Sequence, residues 1–119
     1  MYEIVFYKDK NGNEPVADYM RQLAQTKGKD ARIKLTKIQD YIKILETNGT
    51  RAGDTFVKHL EDDIWELRPL DNRILFAGWT GKSFVLLHRF PKKTRKAPSR
   101  EIKKAKMEFK DWKERFGDE

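Results

Sequence analysis

Two arginines, Arg68 and Arg73, flank the joint Pro69-Leu70-Asp71-Asn72. Farther along, His88-Arg89-Phe90-Pro91-Lys92-Lys93-Thr94-Arg95-Lys96 follows the most apolar run of the chain, residues 84–87. A guanidinium takes two phosphate oxygens at once, and an ammonium adds point charge, so this set suits an anion. With residues 69–72 as the loop of a hairpin, Leu67 falls opposite Ile74, Trp65 opposite Phe76, and Arg68 opposite Arg73. Like charges directly across a strand pair cost a few tenths to about 1 kcal/mol, so folding alone does not favour them. Two readings stand at this level: an anion lies between the arginines, or each finds its own carboxylate, Glu66 being nearest in sequence. Residues 89–106 hold nine Lys or Arg and one Glu, a net of +8 in a chain of net +7, so the remainder sums to −1. The positive charge is one block at the exit of a strand, which points to a phosphate-rich partner.

Other chemistries find no support. There is no Cys and there are only two His, which removes disulfides and Cys-ligated zinc and leaves no ligand spacing for a metal. No glycine-rich phosphate loop and no Gly-flanked serine nucleophile occurs. If the protein is an enzyme, it works with Arg, Lys, His88 and Glu66, and no cofactor is called for. Those groups suit an RNA phosphodiester, where the substrate brings its own nucleophile, the 2′-hydroxyl, and cations stabilise the transition state. No apolar run approaches a membrane span and no leader pattern opens the chain, so a cytoplasmic protein without membrane contact is expected. The pI near 9.6 also fits a basic protein whose charge only keeps it soluble.

At 119 residues, one domain over 1–119 is expected. Residues 2–7 alternate as a strand. Pro15, Val16, Tyr19, Met20 and Leu23 mark a helix that breaks at 26–29, and Leu35, Ile38, Tyr41, Ile42 and Leu45 mark a second over 30–48, closed by Gly49. Strands over 55–60, 64–68, 73–79 and 83–90 have short joints, which predicts an antiparallel meander. In the last strand, simple alternation puts Phe84, Leu86, His88 and Phe90 on one face and Val85, Leu87 and Arg89 on the other. Ile102, Ala105, Phe109, Trp112 and Phe116 mark a C-terminal helix opened by Pro98 and Ser99. The expectation is an α+β fold with helices against one curved antiparallel sheet.

Trp65-Glu66-Leu67-Arg68, Arg73-Ile74-Leu75-Phe76, Val85-Leu86-Leu87-His88 and Phe90-Pro91-Lys92-Lys93-Thr94, with Pro98, Glu101 and Ala105, resemble the phage-derived Gp49-like / HigB toxin family of the RelE/ParE superfamily. The resemblance runs over essentially the whole chain. It implies a RelE-like fold and a type II toxin: a ribosome-dependent, metal-independent endoribonuclease that enters the A site and cuts mRNA by 2′-hydroxyl attack. It also implies a helix-turn-helix, HigA-like antitoxin, in a heterotetramer that binds operator DNA through the antitoxin. By position, Arg73 would contact the scissile phosphate with Arg68 beside it, and Lys92 or Lys93 would neutralise the transition state. His88, Thr94 and Arg95 would help in proton transfer or mRNA binding. Arg89, Lys96, Arg100, Lys103 and Lys104 complete the expected RNA-binding set. The chain departs from the RelE branch at Ile64 and Glu66, where that branch carries lysines, and at Trp112 and Phe116, where no catalytic tyrosine appears. Glu66 and His88 are the candidate bases. A ParE-like gyrase inhibitor and a non-catalytic nucleic-acid-binding module remain as alternatives.

Overall fold

The computed structural model describes residues 1–118. Strands β1 (Glu3–Phe6), β2 (Val57–Glu61), β3 (Ile64–Leu67), β4 (Asn72–Trp79) and β5 (Ser83–Pro91) form one sheet in the order β1-β5-β4-β3-β2. Helices α1 (Pro15–Gln25), α2 (Lys29–Asn48) and α3 (Ser99–Phe116) complete the order β-α-α-β-β-β-β-α. The α+β class and RelE-like arrangement match the sequence expectation. The sheet is mixed, however: β2 to β5 form the antiparallel meander, whereas β1 lies parallel to β5. A parallel pair needs a long crossover, and the α1–α2 hairpin begins it.

The sheet is covered on both faces. Val16, Leu23, Ile38 and Leu45 of α1 and α2 pack on Leu67, Ile74, Phe76, Phe84 and Leu86. Ala105, Phe109 and Trp112 of α3 pack on Ile64, Leu75, Ala77, Val85, Leu87 and Phe90 on the other side. Double coverage is why β4 and β5 are nearly continuous apolar runs. Gly49 closes α2 at φ 60°, and a Cβ there would lie 2.7 Å from the Tyr2 ring. Its absence lets the chain before β1 dock on the helix end, where the Tyr2 N–H donates to Glu46 O at 2.8 Å. No helix among the described residues is long and apolar enough to cross a membrane.

The β3–β4 register is the expected one, with Trp65 opposite Phe76 and Leu67 opposite Ile74. The expected faces of β5 are corrected by a bulge. Leu75 pairs with His88 but Phe76 pairs with Leu86, so Leu87 has no partner. One extra residue reverses the alternation beyond it. His88 and Phe90 therefore join Val85 and Leu87 on the α3 face. Arg89 turns to the helical-hairpin face, where its Cζ lies 4.0 Å from the centre of the Tyr19 ring.

Candidate functional site

Beyond the apolar part of the α3 face lies a cleft of about 460 Å³. One wall is the β3–β4 hairpin, which presents Glu66 and Arg73. The other is the loop from Lys92 to Pro98 and the first turn of α3, with Arg100 and Glu101. Lys92, Lys93, Thr94, Arg95, Lys96 and Arg100 are exposed at its rim. The loop is held in place by its own chain. The Lys92 N–H donates to Asp71 O at 2.6 Å, and the Thr94 hydroxyl donates to Lys96 O at 2.6 Å.

At the base of the cleft the two arginines share a carboxylate. Arg73 Nε lies 3.8 Å and Arg68 Nε 3.5 Å from the same Oε1 of Glu66. Neither sequence reading had this arrangement: the arginines share one protein anion. Arg73 is 7% exposed and its Nη1 donates to Leu70 O at 2.9 Å and Asn72 O at 2.8 Å, which fixes its plane. Arg68 donates through Nη1 to Asp54 O at 2.8 Å, and its buried Nε makes no hydrogen bond. Burial pulls the Arg73 pKa below its ordinary value. Burial likewise pushes Glu66 above its ordinary value, outweighing the opposing pull of Arg73, Arg68, Lys58 and Lys92. A buried carboxyl with a raised pKa, facing a cleft of cations, has the properties of a general base.

The folded chain holds the Glu66 proton more tightly than the unfolded chain. This group therefore adds stability as pH falls from neutrality through its raised pKa to the ordinary 4.5, and loses it as pH rises. Glu66→Gln cannot titrate there. The melting temperature of the wild type minus that of Glu66→Gln is expected to rise steadily as pH is lowered to 4.5. A difference that stays flat or falls would contradict the burial argument.

The remaining sequence candidates are dispersed. His88 is 2% exposed and lies beneath α3, with Nδ1 2.6 Å from Glu108 Oε1 and Nε2 3.0 Å from Glu101 Oε1. Only Glu101 of these three reaches the cleft lining. Arg89, on the opposite face, donates from Nε and Nη2 to Asn72 Oδ1 at 3.1 and 2.7 Å. It thus holds the residue whose carbonyl holds Arg73. Lys103 and Lys104 line a separate depression beside Tyr7 and Met107. Glu101 and Glu108 were not named as site residues from sequence. Their signal is a spacing: Glu101, Ala105, Glu108 and Trp112 follow one stripe of α3, and a carboxylate on a buried stripe needs a partner.

Residues 21–110 match the family model described as phage derived protein Gp49-like (DUF891). The chain belongs to the Gp49-like family. Comparison with curated proteins gives no match. Gp49-like membership implies a toxin of the toxin–antitoxin type in general terms. The matched span includes Glu66, Arg68, Arg73, the loop after β5, Glu101 and Glu108, so the cleft lies wholly within the Gp49-like region.

Proposed function

We propose that this Gp49-like protein acts as one toxin domain over residues 1–119 and is a ribosome-dependent endoribonuclease that cuts mRNA in the A site. The observation that carries this reading is buried Arg73 beside Glu66 at the base of a cleft rimmed by Lys92, Lys93, Arg95, Lys96 and Arg100. Glu66 takes the proton of the 2′-hydroxyl, and the 2′-oxygen attacks phosphorus. Arg73 and Lys92 or Lys93 stabilise the charge that builds on the non-bridging oxygens. Arg68 holds Glu66 from behind. Because the RNA supplies the nucleophile and fixed cations supply the charge, the reaction proceeds without a metal ion. Thr94, Arg95, Lys96 and Arg100 guide the strand, while Lys103 and Lys104 face the ribosome. The protein works in the cytoplasm and is neutralised by a HigA-like helix-turn-helix antitoxin, in a heterotetramer that binds operator DNA through the antitoxin.

Mapping of mRNA 5′ ends after induction tests this, with and without active translation. New ends inside coding regions are expected only while the message is translated. Ends that form without translation would replace the ribosome-dependent reading with a free ribonuclease. Trapped gyrase–DNA complexes without new ends would favour the gyrase-inhibitor alternative.

A further inference from the structure

An in-line displacement at phosphorus needs a base at the entering oxygen and an acid at the leaving oxygen, on opposite sides of the phosphate. Resting on the endoribonuclease reading, the question is which group supplies the acid. Among the described residues lining the cleft, and apart from Lys and Arg, which serve the phosphate charge, the carboxyl groups that exchange protons are those of Glu66 and Glu101. They belong to different walls, Glu66 to β3 and Glu101 to the first turn of α3.

We infer that Glu101 is the general acid that protonates the leaving 5′-oxygen, and that His88 and Glu108 are positioning residues that hold and resupply its proton. Glu101 uses Oε1 to meet His88 Nε2 at 3.0 Å, while its Oε2 lies 4.0 Å from Arg100 Nε at the cleft wall. Behind it, His88 Nδ1 meets Glu108 Oε1 at 2.6 Å. A neutral imidazole offers one donor and one acceptor. When the three groups share two protons, both contacts are hydrogen bonds, and the second proton can sit on Glu101, on the ring, or on Glu108. Glu108 also lines the depression between α3 and the residues after β1, with Tyr7, Lys104 and Asp111. The three groups therefore run from the cleft, under the helix, to this second depression.

The step balances. The 2′-oxygen to phosphorus bond forms, and the phosphorus to 5′-oxygen bond breaks. The 2′-hydroxyl proton passes to Glu66 and the Glu101 proton passes to the 5′-oxygen, giving a 2′,3′-cyclic phosphate and a 5′-hydroxyl. Glu101 without its proton leaves one contact to His88 with no hydrogen, and uptake of a proton through Glu108 restores it.

The test uses a short mRNA in the ribosomal A site, with either the natural linkage or sulfur in place of the 5′-bridging oxygen. A thiolate leaves without protonation, so the sulfur linkage bypasses the acid but not the base. Glu101→Gln is expected to slow cleavage of the natural linkage by about 100-fold or more, yet cut the sulfur linkage within about threefold of wild type. Glu108→Gln is expected to show a smaller loss, also confined to the natural linkage. Equal loss on both linkages would overturn the inference and leave Glu101 a structural residue, and so would no loss on the natural linkage. Should Glu101→Gln fail to fold, Glu101→Asp decides by the same comparison, because a weakened acid is still linkage-selective. Wild type that cuts neither linkage on the ribosome overturns the endoribonuclease reading itself.

Discussion

Arg73→Ala, expressed without an antitoxin, is expected to leave growth undisturbed and to reduce mRNA cleavage by about 100- to 1,000-fold, the usual cost of removing one transition-state charge donor. The side chain is nearly enclosed, and two backbone carbonyls hold its plane toward the cleft. An enclosed cation is worth more to a phosphate than a solvated one, because less water screens it. Its loss also leaves Glu66 with Arg68 as its ion-pair partner, so the proposed base is perturbed along with the proposed phosphate contact. Arg73→Lys is expected to recover little. A single ammonium cannot hold the Leu70 and Asn72 carbonyls and still present a fork to two phosphate oxygens. Growth curves, cleavage rates and a circular dichroism melt on the same preparations check this. A folded Arg73→Ala protein that remained fully toxic would place the chemistry elsewhere.

Phe76→Ala is expected to cost about 3–5 kcal/mol, a large share of the roughly 5–15 kcal/mol that holds a domain of this kind together. Phe76 is fully buried on the face of β4 covered by α1 and α2. Its ring meets Phe84 edge-on with centroids 5.5 Å apart and stacks on Trp65 at 6.5 Å. Truncation removes both aromatic pairs and leaves a void that two sheet neighbours and a helical hairpin cannot all close. Urea denaturation reads the effect as a lowered midpoint, and a cost below about 1 kcal/mol would mean that the layer repacks freely. The two variants separate two kinds of failure. Arg73→Ala is expected to lose cleavage while stability holds, whereas Phe76→Ala is expected to lose stability, with cleavage falling only as the folded fraction falls.

The hairpin that carries the arginines was readable because its determinants are local. Pro69 to Asn72 set the joint, and Trp65, Leu67, Ile74 and Phe76 alternate in a way that only one register buries. The basic rim was readable because charge counts survive any folding. The Leu87 bulge was not. Leucine is equally at home on either side of a strand buried on both faces, so Val85, Leu86 and Leu87 contain no signal for where the alternation skips. That blind spot sent His88 and Arg89 to the wrong faces. The parallel β1–β5 pair was hidden for a different reason, since the partner of residues 2–7 is decided by a crossover and not by any turn. The shared use of Glu66 and the placement of Glu101 and Glu108 are tertiary facts, set by how α3 crosses the end of the sheet.

The β1–β5 pairing also sets an order of events during synthesis. Glu3 and Ser83 are partners 80 residues apart, and their side chains touch. Such a contact cannot form until most of the chain has left the ribosome, and closing so long a loop is slow compared with forming a hairpin or helix. The cleft needs still later segments, because one of its walls is the loop after β5 and the start of α3. On the proposed function, a nascent copy therefore has no working cleft until the loop after β5 and the first turn of α3 have emerged. The same delay gives an antitoxin already present an interval in which to meet the chain before its cleft exists.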